Sequence, residues 1–380
     1  MLLAACGGGK RQSSPTATPG LPTFTPTGTA TPHASPTAAP RDARWLAYLR
    51  PSGREMQLRL VRGDGGGDRL VADGVTGFAW SPDGRALAYW GTAAPVHVVQ
   101  VGDNGTLGGV TSLAVGADAA FSPDGQRLAF REPVSGAGGW RLVVAPTGGG
   151  GAALPLTRDT EWDWGAPAWT ADGRILAEGG PYALAGASGN TAFSFYLISG
   201  DGTRTRLPVG NLSGRTPTDV AASPDRRAMA YTTTVHNSAC SASGSAQVVG
   251  VDGTSHEFRV HDLLPRPSSD YDEVPYGVTW AGSGALLYSA GTFDVTACMR
   301  SPSGPTAAMS GTPDLFRISL QGGAPAKLLE DAAWPALSND GQLLAYTRGA
   351  AGGSPAVVVA AADGSGAAVV AQGTRPQWRP

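Results

Sequence analysis

The chain has 380 residues, of which 55 are glycine and 30 proline, so these two residues take 85 positions, nearly twice their usual share. The surplus excludes a helical bundle, because Gly and Pro are the poorest helix-interior residues, and the absence of a three-residue glycine period excludes collagen. With 41% apolar residues the chain is too hydrophobic for wholesale disorder, so the glycines and prolines punctuate a folded chain as turns. The balance of 28 basic against 30 acidic side chains leaves no electrostatic footprint for nucleic acid.

At the start, Leu3-Ala4-Ala5-Cys6-Gly7 resembles the lipobox of bacterial lipoproteins, in which the cysteine is acylated and becomes the mature N-terminus. The resemblance implies lipidation at Cys6 and an extracytoplasmic protein anchored to a membrane or envelope by lipid, with secretion as the alternative. Only five residues precede Cys6, short of the basic and apolar regions of such a signal, so a start site placed too late is expected. No run approaches the ~18 apolar residues of a membrane-spanning helix, so lipid is the only membrane attachment expected. Residues 7–40 hold seven Pro and eight Thr and almost no large apolar side chain. They read as a disordered Pro/Thr-rich stalk at about 3.1 Å per residue, or as a tail without mechanical role.

From residue 41 onward the chain repeats. Phe78-Ala79-Trp80-Ser81-Pro82-Asp83-Gly84-Arg85-Ala86-Leu87-Ala88-Tyr89 returns as Ala119-Ala120-Phe121-Ser122-Pro123-Asp124-Gly125-Gln126-Arg127-Leu128-Ala129-Phe130. Variants follow around Asp172, Asp225, Ser283 and Asp340. Ser-Pro-Asp-Gly suits a type I turn, in which Pro presets φ and Asp bonds nearby backbone. The alternation on either side of it has the period of strands. Each corner is followed by a second hairpin, such as those turning at Asp201-Gly202, Asp252-Gly253 and Asp363-Gly364. Four antiparallel strands per repeat are the signature of a β-propeller blade.

The termini complete the count. The chain ends Arg375-Pro376-Gln377-Trp378-Arg379-Pro380, the first strand and half the turn of a motif whose other half is Asp42-Ala43-Arg44-Trp45-Leu46-Ala47-Tyr48. The expected fold is therefore an all-β, seven-bladed β-propeller over 41–380, closed by N-terminal strands plus the C-terminal strand. By these motifs the chain resembles the TolB-type, WD40-like propeller family. That resemblance implies a fold and not a function, because the same blade serves scaffolds, peptidase gating domains and sugar-handling proteins. TolB-type proteins carry an α/β domain ahead of the propeller, where this chain has the stalk, so a role in the Tol system does not carry over.

No G-x-S-x-G elbow, H-E-x-x-H, C-x-x-C or P-loop occurs, and no catalytic residue is assigned. No metal or cofactor is expected: the five histidines show no ligand spacing, and His256 and His261, near one strand, are expected on opposite faces. Cys240 and Cys298 stand nine and ten residues after Tyr231 and Tyr288, in matching loops of adjacent blades, which makes them a disulfide candidate; two unrelated thiols are the alternative.

The repeat spacing is 41 residues at first, grows to 48, 53, 58 and 57 after Asp124, then returns to 41. The additions fall after second and fourth strands, so one face of blades 3 to 6 is expected to carry long loops, where binding residues concentrate. Those loops include Glu161-Trp162-Asp163-Trp164 and Asp270-Tyr271-Asp272-Glu273-Val274-Pro275-Tyr276. Trp162, Asp163, Trp164, Asp270, Tyr271, Asp272, Glu273 and Tyr276 are the binding candidates: rings beside carboxylates can stack on a sugar or anchor a protein, and equally can cap the core. The expectation is a monomeric binding or scaffolding module for an unknown protein or glycan. The alternatives are a carbohydrate- or peptide-active enzyme using acids on the same face, and a structural envelope component.

Overall fold

The computed structural model describes residues 43–135, 139–158, 162–181, 193–209, 216–238, 240–266, 269–300, 312–350 and 354–380. Cys6, the Pro/Thr-rich segment, Asp42 and Glu161 lie outside them. The described residues belong to one compact unit and form seven sheets, each a four-stranded antiparallel ladder, one with an extra short strand.

Blade 1 contains Trp45–Ser52, Glu55–Arg62 and Arg69–Ala72, with Thr374–Trp378 as its first strand. Blade 2 runs through Gly77–Trp80, Ala86–Trp90, Pro95–Val101 and Leu107–Val115, and blade 3 through Ala117–Phe121, Arg127–Pro133, Trp140–Pro146 and Leu154–Pro155. Blade 4 has a divided first strand, Trp162–Trp164 and Ala168–Trp169, then Ile175–Pro181, Ser194–Ile198 and Arg204–Arg206. Blade 5 comprises Thr216–Ala222, Ala228–Ser238, Ser241–Gly250 and Ser255–Phe258; blade 6, Tyr271–Trp280, Ala285–Asp294, Asp314–Ser319 and Ala326–Leu329. Blade 7 is Ala333–Leu337, Leu343–Arg348, Ala356–Ala361 and Ala368–Gln372. First strands of successive blades lie against one another around the axis. Fourth strands, such as Arg204–Arg206, face solvent.

Side-chain alternation builds the ring. Leu128 and Phe130 pack into the core shared with blade 2, whereas Ala129 between them joins the core shared with blade 4. Met229 and Tyr231 face blade 4, and Ala230 faces blade 6. One strand thus supplies two interfaces, and the hydrophobic core is seven wedges between blades. Tyr48, Tyr231, Tyr288, Tyr346 and Phe130 are fully buried in these wedges.

The corners explain the repeated motif. The Gly84 N–H donates to the Ser81 carbonyl at 2.9 Å, the Ser81 hydroxyl donates to Asp83 at 2.7 Å, and Asp83 accepts the Arg85 N–H at 3.0 Å. The same bonds recur at Ser122/Asp124, Ser223/Asp225 and Ser338/Asp340, and Thr170/Asp172 reproduces them. These bonds hold the turn carboxylates below their ordinary range, down to about 2 for Asp340, whose leading cause is the Ser338 hydroxyl. For Asp172, also about 2, the first cause is the bond from Arg174. The fourth turn residue has φ near +70° in Gly84 and Gly125; blade 5 places Arg226 there at φ +55°.

The ring closes as the termini indicate. Leu46 pairs with Trp378, Ala47 with Gln377 and Leu49 with Thr374. Arg379 secures the joint: its guanidinium donates to the carbonyls of Gly84 at 2.7 Å and Gly102 at 3.0 Å and meets Asp103 at 3.1 Å, all in blade 2. With Thr374–Trp378 in place, blade 1 has four strands like the other blades.

Candidate functional site

In an antiparallel blade, the connections after the second and fourth strands emerge on one face, here the loop face; the Ser-Pro-Asp-Gly corners occupy the other. Among the described residues, part of the additions to blades 5 and 6 is strand rather than loop. Their second strands have 11 and 10 residues, against five in blade 2. These extensions raise a wall on the loop face. Cys240, in the turn between the second and third strands of blade 5, bonds to Cys298 in the short helix Val295–Arg300 of blade 6, with Cα atoms 5.4 Å apart. Phe293, Val295 and Val274 pack around the two sulfurs.

The segment 270–276 corrects the expected loop: Tyr271–Trp280 is the inner strand of blade 6. Pro275 and the acids made it read as a loop. Proline is compatible because an inner strand is an edge strand, and Pro217, Pro335 and Pro376 occupy three more inner strands. Tyr271 is buried, stacked on His261 at 4.3 Å, and its hydroxyl donates to the His261 carbonyl at 3.0 Å. Glu273 is buried and accepts both the Tyr288 hydroxyl at 2.6 Å and the Val260 N–H at 2.9 Å. Burial raises its pKa, and those two bonds oppose the rise. Tyr276 is buried too, whereas Asp270 is exposed and Asp272 half-buried. His261 lies in a 3-10 turn after the strand that holds His256, so the two histidines share no strand.

Trp162, Asp163 and Trp164 are likewise strand, paired with Pro181, Gly180 and Gly179. Trp164 is 1% exposed and belongs to the core between blades 3 and 4. Its burial follows from an exchange of volume. Blade 4 has Ala177 two residues after Ile175, where other blades carry Tyr48, Phe130, Tyr231, Tyr288 or Tyr346. Trp164 stands five residues before the inner-strand Trp169, where blades 1 and 3 have Gly373 and Gly116. A Cβ on Gly373 or Gly116 would lie 2.5 Å from the ring of Tyr48 or Phe130. Blade 4 therefore moves the aromatic ring from the second strand to the first. Trp162 is half-buried, stacked on Trp164 at 5.6 Å with Arg204 over its ring at 4.8 Å. Asp163 accepts the Trp140 N–H at 3.0 Å. The aromatic candidates of blade 4 thus serve packing.

One acid has no such use. Glu178 is 3% exposed, and its Oε1 has no hydrogen-bond partner. It occupies the position after the aromatic in the second strand, where other blades tie to the next inner strand: the Ser289 hydroxyl donates to the Ala332 carbonyl, and Thr347 accepts the Arg375 N–H at 3.1 Å. Burial, and then the charge of Asp163, push its carboxyl well above the usual range.

Sequence patterning missed the inner-strand bulges. The residue three before the end of the first strand has positive φ in Asp118 (+52°), Asp219 (+48°), Gly277 (+112°), Trp334 (+46°) and Arg375 (+52°). The ladder shifts register at each of these points. No residue type marks the position, so nothing in the composition of the repeat announced it. They hold equivalent places in five of the seven inner strands, around the loop-face mouth of the axial channel.

Two cavities lie elsewhere. One of about 430 Å³, lined by Arg44, Trp45, Asp103, Asn339 and Arg379, and one of about 330 Å³, lined by Trp45, Arg62, Arg69 and Asn104, flank Trp45 on the turn face of the seam.

No family model matches the chain, and no curated protein does. Solved structures do. The β-propeller domain of the Trilobed protease from Pyrococcus furiosus aligns with a TM-score of 0.54 at 11% identity, covering 89% of this chain and 97% of that one. An oligogalacturonate lyase in complex with manganese aligns at 0.51 with 12% identity, covering 86% and 95%. The likeness shows the fold. TolB from Acinetobacter baumannii aligns at 0.47 with 17% identity, covering 90% of this chain and 68% of that one, and at that score it carries no argument.

Proposed function

We propose that the chain is an exported, lipid-tethered β-propeller that binds a protein or glycan partner through its loop face. The observation that carries this reading is the wall of blades 5 and 6, where long strands rise on one face only and are stapled by Cys240–Cys298. A disulfide between blades suits an oxidising compartment outside the cytoplasm, in keeping with the lipobox-like residues before Cys6. Asp270, exposed, and Asp272, half-buried, stand at the top of the wall. The test is cross-linking of the full chain to envelope components, comparing Asp270→Lys with Asp272→Lys and a turn-face control, Asp201→Lys. Loss of the cross-linked partner in the first two alone supports the reading; loss in the control alone contradicts it. In parallel, Cys6→Ser is expected to move the protein from the membrane to the soluble fraction, and a variant that stays on the membrane removes the lipid tether.

A catalytic reading draws on Glu178, a buried carboxyl whose Oε1 has no hydrogen-bond partner and whose pKa is raised by burial and then by the charge of Asp163. Two of the similar structures come from enzymes, a lyase named for oligogalacturonate and a protease. Turnover of an acidic polysaccharide or a peptide that is abolished in Glu178→Gln would establish this second reading; turnover unchanged by Glu178→Gln removes Glu178 from it.

A further inference from the structure

Three blades meet at one side of the loop-face mouth. Trp334 of blade 7 carries the Arg375 guanidinium of blade 1 over its ring at 5.2 Å and meets Tyr276 of blade 6 edge-on at 5.8 Å. The neighbouring Gly277 makes room: a Cβ there would lie 2.9 Å from the Trp334 ring. Both Trp334 and Arg375 sit at positive φ, outside the usual range of side-chain-bearing residues, so the bulge aims them where a regular strand would not.

The arrangement isolates a cation. Arg375 is exposed, and its backbone is pinned by the N–H bond to Thr347. Among the described residues no carboxylate or carbonyl accepts from its guanidinium. The acids at the equivalent positions are occupied: Asp118 pairs with Arg131, and Asp219 accepts the Thr232 hydroxyl at 3.3 Å. Asp331, nearby in blade 7, accepts the Gly349 N–H at 3.0 Å. A guanidinium stacked on an aromatic ring keeps its in-plane N–H groups free, and that planar fork matches a carboxylate.

From this geometry we propose that the loop-face mouth of the channel is a carboxylate site centred on Arg375, which takes the C-terminal carboxylate of an extended peptide. Two features favour a peptide over a sugar acid. Trp334 is covered by Arg375 and abutted by Tyr276 and Gly277, so it offers no open platform for a sugar ring. The inner strands that carry Trp334 and Arg375 are end strands of their sheets, with their second strands on one side only, so their axial edges are open to pairing with an extended chain. The inference deepens the reading of the loop face as a binding face and rests on it.

The experiment is titration of the full chain with N-acetylated tetrapeptides differing in their last residue, each as free acid and as C-terminal amide, followed by Trp fluorescence and calorimetry. Free acids are expected to bind, with affinity about tenfold or more weaker for the amides and for Arg375→Gln, and partly retained in Arg375→Lys. An unchanged melting temperature in Arg375→Gln, with binding lost, assigns the effect to the site. Equal binding of acid and amide, wild-type affinity in Arg375→Gln, or no binding of any peptide overturns the proposal, as does binding of oligogalacturonate in place of peptides. If no peptide binds while Asp270→Lys still loses its cross-linked partner, this site fails and the broader binding-face reading stands.

Discussion

On the turn face, three blades repeat one Ser-Pro-Asp corner, blade 7 repeats it as Ser338-Asn339-Asp340 and blade 4 with Thr170 and Asp172, with the same hydroxyl-to-carboxylate and amide-to-carboxylate bonds each time. On the loop face the blades end differently: blade 2 stops its second strand at Trp90, while blade 5 continues to Ser238 and blade 6 to Asp294 before a helix and a disulfide. Regularity marks the face of the corners, and irregularity marks the face where strands of blades 5 and 6 are extended. A rigid scaffold with variable loops has this division in general; here it falls between two ends of the same strands.

The comparison can be broken hardest at the seam. Deleting Pro376–Pro380 removes Trp378 from the core and every bond made by Arg379, so destabilisation on the order of 5 kcal/mol or more is expected. Thermal unfolding reads it, and an unchanged melting temperature would remove the seam from the account. Next comes the exchange of volume in blade 4. Trp164→Ala should cost roughly 3–5 kcal/mol in chemical denaturation. Trp164→Gly combined with Ala177→Tyr, which copies the Gly373 and Tyr48 pair of blade 1, should recover part of the loss; a double variant no better than Trp164→Ala contradicts the exchange.

A smaller effect, of opposite sign, is expected at Glu178. Replacement by Thr, as at Thr232 and Thr347, should stabilise the ring by on the order of 1 kcal/mol near neutral pH, because an ionised carboxyl is disfavoured there. The folded pKa of Glu178 is raised, so the wild type binds its proton more readily folded than unfolded. Its stability therefore rises as pH falls from the folded pKa toward the unfolded one, and the advantage of Glu178→Thr shrinks over that interval. The corner carboxylates run the other way. Asp172, near 2 when folded, contributes stability above its unfolded pKa that is lost as pH falls toward 2. An advantage of Glu178→Thr that does not vary with pH would contradict the buried-acid description. Smallest is Arg226→Gly, which should gain up to about 1 kcal/mol by relieving the positive φ that other corners give to glycine. A loss instead would show that the half-buried Arg226 side chain outweighs the backbone.

Much of this division was legible in the residues. Ser81-Pro82-Asp83-Gly84 and its copies declare themselves because a corner needs a fixed φ, an acceptor and a positive-φ residue, which few side chains supply. Trp378 and Trp45 fall at the two ends of the chain in complementary halves of one repeat, so the closure could be read from register alone. The loop face was harder. Asp270–Tyr276 carries a proline and three acids, a loop composition, yet folds as an inner strand because an edge strand tolerates Pro275 and because Glu273 finds Tyr288 and Val260. Trp162 and Trp164 looked like a display of rings; the missing aromatic at Ala177 was the signal that the core would claim Trp164. The bulge at Arg375 and Trp334 has no sequence signature, since its five occupants are Asp, Asp, Gly, Trp and Arg, and the conformation belongs to the ring rather than to the residue.

The most direct test of the loop face as the working face is hydrogen–deuterium exchange of the full chain with and without a saturating free-acid peptide. Slowed exchange is predicted at Thr374–Pro376, Ala333–Pro335 and Tyr276–Val278, with no change at the Ser81, Ser122 and Ser338 corners. Slowed exchange confined to those corners or to the cavities beside Trp45 would contradict it.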